Sequence, residues 1–220
     1  MMKVLWEPTA TRHTVVTPGQ GRVAIVPLVL GYLLILSGMV LSFIVPIQAP
    51  ILLVSLGVTS STMIGLSAGL GLLATLVGSL AWPLLRRRIG ILGCNALLLT
   101  LLGLGLWLLM RGQSYSAVLV AVLIHGLGAG LLVPNAMTPV MNALSASTRG
   151  RGLGGFTAFL YFGQFVSPLV VAVLSAYSGD LRHSIQWLAI ASFASALVWA
   201  LAGLQARRKA HAQAFGSSHS

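Results

Sequence analysis

Residues 78–90 read GSLAWPLLRRRIG and place three consecutive arginines between two long uncharged runs. No charged residue occurs at positions 23–85 before them or at 89–110 after them. An apolar helix needs about 20 residues to cross a bilayer, so arginines between two such runs mark a point where the chain leaves the hydrocarbon. The stretch therefore predicts a polar loop at Arg86, Arg87 and Arg88, between two membrane-spanning helices.

The composition agrees with a membrane location. Charged residues make up 7% and hydrophobic residues 57% of the 220 residues, and the mean hydropathy is +0.96. Soluble domains carry about 25% charged residues, so this chain has too few to cover a surface in water. The net charge of +11 falls in short clusters rather than on the basic face that binding to nucleic acid requires. We predict an integral membrane protein without a nucleic-acid partner.

Six apolar runs predict an all-α protein with six transmembrane helices. Pro46-Ile-Gln-Ala-Pro50 divides the longest run, and residues 51–57 are expected to lie at the interface. The predicted spans, which together form a transmembrane domain over 23–206, are 24–46, 63–85, 89–110, 115–139, 153–177 and 184–206. Residues 1–22 are expected to be a cytoplasmic tail and residues 207–220 a basic cytoplasmic tail.

The distribution of Lys and Arg predicts the orientation, because cytoplasmic loops are enriched in both. With six spans, eleven of the 13 basic residues fall on one side, and only Arg111 and Arg182 fall on the other. Five or seven spans would scatter the clusters. We therefore expect a multi-pass protein of the inner (plasma) membrane with both termini in the cytoplasm.

Catalytic and metal-binding patterns are weak. Gly65-Leu-Ser67-Ala-Gly69 matches G-x-S-x-G, but that motif needs a strand-to-helix turn, a histidine and an acid. Ser67 and His125 are the one pair that an intramembrane hydrolase could use, and no acid lies in any predicted span. Cys94 is the single cysteine, which excludes an internal disulfide. We predict no enzyme, no cofactor and no metal site.

His125 is the one ionisable side chain deep in a predicted span. Such residues usually face a cavity or the bundle interior, and a neutral histidine bonded to a neighbouring helix is the competing interpretation. Tyr161 and Gln164 are three residues apart and share a helix face. Glycines at helix-contact spacing, Gly126 and Gly130, predict close packing of helix backbones.

Two segments carry a resemblance to a known family. They are RGRGLGGFTAFLYFGQFVSPLVVAVLSAYSG at 149–179, with Gly163 and Pro168, and GLGAGLLVPNAMTPVMNALS at 126–145. With the helix count and the basic loop, they resemble the major facilitator superfamily, more narrowly the carboxyl-terminal six-helix half of a drug- or sugar-exporter-like member. The resemblance covers about 23–206.

The opening stretch is similar to that family's loop signature, Gly-x-Leu-Ala-Asp-Arg-x-Gly-Arg-Arg. Five residues match it: Gly78, Leu80, Ala81, Arg86 and Arg87. Trp82 stands in the place of the acid, Pro83 in the place of an arginine and Leu85 in the place of the glycine. The charge-relay role of that acid is therefore not expected here, as is typical of the second half in this family.

The resemblance implies a function and a set of lining residues. It implies one half of a twelve-helix carrier, built of two inverted three-helix repeats, that moves a small solute by alternating access, with ion-gradient-driven efflux. The first, second, fourth and fifth spans would line the cavity, with Tyr32, His125, Asn135, Tyr161 and Gln164 as candidates. It assigns packing roles to Asn95, Thr100 and Gln186.

The resemblance also leaves the state of the chain open. The chain is expected to be a fragment, one half of a split carrier that needs a first-half six-helix partner, or a homodimer. A non-transporting membrane subunit and the intramembrane hydrolase are the alternatives.

Overall fold

A computed structural model describes residues 25–216, with side chains as far as Arg208, and these residues form five α-helices. The helices are α1 (Ile25–Ser55), α2 (Ser61–Arg111), α3 (Tyr115–Ala143), α4 (Arg149–Ser178) and α5 (Leu181–Gly216). The tail predicted at 1–22 lies outside the described residues. Helix α5 continues past Ala206 into the segment predicted to be a tail.

All five helices are long and apolar enough to cross a membrane, α5 over Leu181–Arg208. In hydrocarbon each backbone N–H and C=O must be satisfied within the protein, and a helix does this within one segment. The all-α fold and its membrane-spanning character agree with the sequence.

The second helix is 51 residues long and is interrupted at Gly90, whose φ of 74° and ψ of 178° are not helical. This backbone conformation is open to glycine and strained for other residues. A straight helix of that length would extend about 75 Å, against a hydrocarbon thickness of about 30 Å. We call residues 61–89 the first arm of α2 and residues 91–111 the second arm.

This interruption corrects two predictions. The described residues form five helices instead of six separate ones, because the predicted spans 63–85 and 89–110 are joined in α2. The polar loop predicted at the arginines is helical as far as Ile89. The arginines extend their side chains from a helix end, so that Gly90 alone provides the change of direction.

The first arm runs parallel to α3. Near the start of both helices, the Tyr115 hydroxyl donates a hydrogen bond of 3.0 Å to the Met63 carbonyl. Near their ends, the Trp82 indole Nε1 donates a bond of 3.0 Å to Oδ1 of Asn135.

The second arm runs antiparallel to α3. At its start, Nδ2 of Asn135 donates to the Ile91 carbonyl at 3.2 Å. At its other end, Gly112 lies against Val118, in the first turn of α3. The two arms therefore form a helical hairpin whose turn is at Gly90 and both of whose arms contact α3.

Helix α1 continues beyond the predicted break. The sequence interpretation ended a span at Pro46 and placed residues 51–57 at the interface, but α1 runs to Ser55 with Pro46 and Pro50 inside it. Each proline removes one helical donor, and such prolines are tolerated in membrane helices. The two are four residues apart, so their rings lie on one side of α1, and both face a cavity with room for them.

Hydrogen bonds from buried side chains to backbone carbonyls join the helices. Ser167 of α4 donates to the Val40 carbonyl of α1 at 2.7 Å. Ser192 of α5 donates to the Leu99 carbonyl of the second arm, also at 2.7 Å. Helix association in lipid depends on such bonds and on close packing, because the lipid tails are as apolar as the helices.

The described arginines separate between the two ends of the bundle. Tyr32 donates to the Gly152 carbonyl at 2.7 Å, which brings the starts of α1 and α4 together. Arg207 Nη2 donates to the Ile89 carbonyl at 3.0 Å, which brings the end of the described side chains to the hairpin turn. The hairpin turn and the starts of α1 and α4 lie at the same end of the bundle. Seven arginines lie at that end: Arg86, Arg87, Arg88, Arg149, Arg151, Arg207 and Arg208. Arg111 and Arg182 lie at the other end.

Candidate functional site

A cavity of about 200 Å³ lies between α1, the first arm of α2 and α3. We call it the α1–α3 cavity. Its inner wall includes Ser42, Ser67 and His125, which are at most 7% exposed. Pro46 and Leu72, which are exposed, lie at its rim between α1 and the first arm. The cavity is therefore open on one side and polar at its inner end.

His125 lies in this wall, ten residues into α3 and so about 15 Å along that helix. Its Nε2 is 3.2 Å from the Leu41 carbonyl of α1. A carbonyl only accepts, so Nε2 carries the proton and donates it. One ring nitrogen thus joins two helices, and the same ring lines the cavity. Both interpretations of His125 given by the sequence, a cavity residue and a bond to a neighbouring helix, apply at once.

The three hydroxyl groups of the cavity differ in their bonding. Ser67 donates to the Ile64 carbonyl at 2.7 Å, and Thr75 donates to the Gly71 carbonyl at 3.0 Å. The Oγ of Ser42 is fully buried and has no hydrogen-bond partner among the described residues. Buried polar atoms nearly always have a hydrogen-bond partner. Among the three hydroxyl groups of this wall, only that of Ser42 lacks one.

A larger groove of about 530 Å³ lies between α1, α4, α5 and the second arm. Its serines already donate to backbone carbonyls: Ser37 to Leu33 and Ser195 to Ala191 within their own helices, and Ser192 to the second arm. The rest of its wall is apolar except for the Trp199 indole. The groove offers shape but little hydrogen bonding, so the α1–α3 cavity is the better candidate site.

The structure places the five predicted lining residues in different surroundings. His125 lines the α1–α3 cavity, whereas Tyr32, Asn135, Tyr161 and Gln164 do not. Tyr32 bonds to α4 and stacks on Phe159 at 5.1 Å. Tyr161 is 63% exposed on α4, and Gln164 is half-buried beside it.

Asn135 is fully buried where the hairpin turn meets α3. It accepts from Trp82 in the first arm and donates to Asn95 and the Ile91 carbonyl in the second arm. Trp82, which stands where the family signature has an acid, therefore makes a neutral hydrogen bond in that place. The Arg86 guanidinium lies 5.1 Å from the centroid of the Trp82 ring, within the range of a cation–π contact.

The glycines predicted to pack do face neighbouring backbones. A methyl group at Gly126 or Gly130 would collide with backbone atoms of the first arm at Gly71 or Thr75, and one at Gly163 would collide with the Leu36 carbonyl of α1. Gly78, from the opening stretch, lies equally close to the Leu127 carbonyl. Pro168 is exposed.

The described residues contain no group of three or more His, Cys, Asp or Glu side chains that could hold a metal ion. Ser67 and His125 share the cavity, but they donate to the Ile64 and Leu41 carbonyls and not to each other. The one carboxylate among the described residues, Asp180, is exposed in the α4–α5 connection, at the end of the bundle. These residues form no catalytic relay.

Asp180 precedes α5 and is bonded to it. The backbone N–H of Arg182 donates to it, and this bond, followed by the bond from His183, lowers the pKa of the carboxyl below its ordinary value. Asp180 thus acts at a helix start, far from the cavity.

The sequence could not assign Ser42, Ser67 and Thr75 to one site. They lie on two helices, and their proximity to His125 depends on how α1, the first arm and α3 pack. The one available signal was the position of Ser42 four residues before Pro46, since a proline leaves that carbonyl without its helical donor.

Among the described residues, five apolar helices, buried polar bonds between them and a cavity within the bundle define a multi-pass membrane protein. The chain belongs to the Major Facilitator Superfamily, whose family model matches residues 30–218. Members of this family are membrane transporters and not enzymes. No curated protein matches the chain.

Proposed function

We propose that this protein carries a small solute across the inner (plasma) membrane by alternating access, and that the α1–α3 cavity is part of the solute path. The cavity is the observation that carries the proposal, since it places four polar side chains within an apolar membrane-spanning bundle. Transporter sites typically lie near the bilayer midplane at the interface of structural repeats. Ion-gradient-driven efflux is proposed on the exporter-like sequence of α4.

We propose six membrane crossings, with the two arms of α2 counted separately. The arms run in opposite directions along α3, and each is long enough to span the hydrocarbon. The bundle then consists of two three-helix units, α1 with the two arms, and α3 with α4 and α5. With the arginine-rich end in the cytoplasm, both termini lie on the cytoplasmic side.

We further propose that the bundle works against a second six-helix half, from a first-half partner or a second copy. Large side chains remain exposed on α4, among them Tyr161, Phe165 and Tyr177, at 63%, 68% and 88%. Tyrosines carry a polar hydroxyl group and suit a protein or interfacial surface better than the middle of a lipid tail region.

Alternating access is tested by labelling from each side of the membrane. In a Cys94→Ala background, Ala68→Cys places a thiol at the cavity rim, and Thr100→Cys places one on an exposed position of the second arm. We expect a small impermeant thiol reagent to modify Ala68→Cys in both right-side-out and inverted vesicles. It should modify Thr100→Cys in neither, because a lipid-facing thiol meets no water.

Labelling of Ala68→Cys from one side only would show a static pocket and favour the non-transporting subunit. The partner is tested separately by native mass spectrometry of the complex extracted from its membrane. A second six-helix unit should accompany the 23.0 kDa chain, and a mass of one such chain alone would overturn the proposed second half.

A further inference from the structure

We propose that the α1–α3 cavity binds a small uncharged molecule whose N–H or O–H groups donate hydrogen bonds, as a primary carboxamide does. The inference rests on the proposed function, because it names the class of solute that the cavity would receive. Most hydrogen-bond donors in the cavity wall are already used in bonds within the protein, whereas several acceptors remain free.

The two hydroxyl groups of the first arm offer acceptors. The protons of Ser67 and Thr75 are used in bonds to the Ile64 and Gly71 carbonyls of the same helix. A hydroxyl that donates in this way retains only its lone pairs for a further partner. Both residues line the cavity, so this side of the wall accepts and does not donate.

His125 also offers an acceptor. Its Nε2–H is used in the bond to the Leu41 carbonyl, and in the uncharged ring the other nitrogen, Nδ1, then has no proton. Within the described part of the chain Nδ1 makes no hydrogen bond. The ring is 2% exposed and lines the cavity, so a bound donor is the partner that fits Nδ1.

Two prolines add backbone acceptors on α1. Pro46 has no N–H for the Ser42 carbonyl, and Pro50 has none for the Pro46 carbonyl. Ser42, Pro46 and Pro50 all line the cavity. Because each of these carbonyls lacks its helical N–H, a donor on a ligand in the cavity could bond to it.

The Oγ of Ser42 is an independent sign of a missing partner. It is fully buried and unpaired, in a residue that is 7% exposed. A buried unpaired polar group costs more free energy than a paired one gains. A ligand that bonds to Ser42 Oγ, after the side chain turns toward the cavity, would remove that cost, since the hydroxyl is free both to donate and to accept.

Charge and size narrow the class of ligand. None of the described residues that line the cavity is Asp, Glu, Lys or Arg, so a bound ion would be buried without a counter-charge, which is costly. The volume of about 200 Å³ is below the 300–1,000 Å³ of sites for drug-sized ligands. The cavity therefore suits a small neutral donor better than a cation, an anion or a drug-sized molecule.

The test measures the binding of four small aromatic probes to the 220-residue chain in lipid nanodiscs. Benzamide is neutral and has N–H donors, N,N-dimethylbenzamide is neutral without donors, benzylammonium is a cation and benzoate is an anion. Equilibrium binding is measured by dialysis with radiolabelled probe against empty nanodiscs. We expect saturable binding of benzamide, at least about tenfold tighter than that of the other three.

Ser42→Ala separates a binding role from a structural one. The variant removes an unpaired buried hydroxyl, so it should raise the unfolding temperature without ligand and weaken benzamide binding about five- to tenfold. Ser175→Ala is the matched control, because Ser175 Oγ is also buried and unpaired but lies outside the cavity. It should raise the unfolding temperature and leave binding unchanged.

Equal binding of benzamide and its dimethyl derivative would show that the acceptors are not used. Tighter binding of either ion would show the wrong class of ligand, and saturable binding of none of the probes would remove the site. A loss of benzamide binding in Ser175→Ala equal to that in Ser42→Ala would also contradict it. The thiol labelling needs no ligand, so alternation without benzamide binding would leave the proposed function standing and reject only this inference.

Discussion

The two arms of α2 have similar apolar sequences and different surroundings. The second arm buries four leucines completely: Leu98, Leu102, Leu106 and Leu109. The first arm buries only Ser67, Ala74 and Gly78, while Leu72 and Leu80 are 72% and 71% exposed. Lipid tails are as apolar as leucine, so a leucine gains little by moving from lipid into the bundle. The buried stripe of the first arm therefore consists of small residues, which allow close packing.

This difference suggests a division of work within one helix. The second arm fills the space between α3 and α5 with large side chains and forms the scaffold. The first arm packs on α3 through a narrow stripe of small residues, and Ser67, Gly71 and Thr75 on that side also line the α1–α3 cavity. We therefore expect truncation of the large side chains in the second arm to lower stability, and substitutions outside the buried stripe of the first arm to change stability little.

The largest contrast is expected between Gly105→Ala and Gly69→Ala. A methyl group at Gly105 would come within 2.9 Å of the His125 backbone nitrogen, whereas one at Gly69 meets nothing within 4 Å. Gly105→Ala should lower the free energy of unfolding by about 2–3 kcal/mol. Gly69→Ala should raise it by about 0.5–1 kcal/mol through helix propensity. SDS titration in mixed micelles measures the free energy of unfolding of both variants. Equal changes in the two variants would contradict the proposed difference in packing between the arms.

Truncated leucines should give the next largest contrast. Leu102→Ala leaves a void in a fully buried position and should cost about 2 kcal/mol. Leu72→Ala removes a side chain that is largely exposed on the bundle surface. It should change the free energy of unfolding by less than about 0.5 kcal/mol. The same titration applies. A loss in Leu72→Ala as large as that in Leu102→Ala would mean that the first arm is buried in the assembled protein.

The bond between Trp82 and Asn135 links the first arm to α3 near the hairpin turn, and its loss should have a smaller effect. Trp82→Phe keeps an aromatic ring and removes the N–H donor, at an expected cost of about 0.6 kcal/mol. Trp107→Phe is the matched control in the second arm, since its ring also lies under an arginine, at 4.6 Å. Its indole N–H has no partner among the described residues, so near-neutral behaviour is expected. Thermal unfolding in detergent measures the difference between the variants.

The smallest effect concerns the start of α5, the helix that packs on the second arm. The pKa of Asp180 lies below its ordinary value of 3.8, so the folded state is favoured when the carboxylate is ionised. Its contribution is present at neutral pH and is lost as the pH falls through the lowered pKa. The unfolding temperature of Asp180→Asn should be slightly below wild type at about pH 7 and should converge with it as the pH falls below 3.8 and through the lowered pKa. Parallel curves over this range would show no such linkage.

The sequence predicted the helices well and their ends less well. Charges and length located each apolar run, because burying an arginine in hydrocarbon is costly. The course of α1 through Pro46 was missed, since a proline reads as a boundary unless the packing around it is known. The joining of two predicted spans through Arg86–Arg88 was missed for a related reason. Backbone conformation at a single glycine, Gly90, made the turn, and the arginines stayed helical.

The site was less predictable than the fold. His125 stood out because ionisable residues are rare in spans. Ser42 and Thr75 did not, since a serine or threonine in a membrane helix usually bonds to its own backbone, as Thr75 does. The exceptional feature of Ser42 is a missing bond, which is visible only when the neighbouring helices are in place.

The bond from Arg207 to the Ile89 carbonyl has a consequence for biosynthesis. The two residues are separated by 118 positions, so a ribosome must complete nearly all of the described helices before the contact can form. Until then, the hairpin turn lacks this donor to its last helical carbonyl. Helix α5 thus supplies a hydrogen bond to the turn within α2. In a nascent chain arrested before Arg207, the Ile89 carbonyl would lack this bond while the chain is still at the insertion machinery.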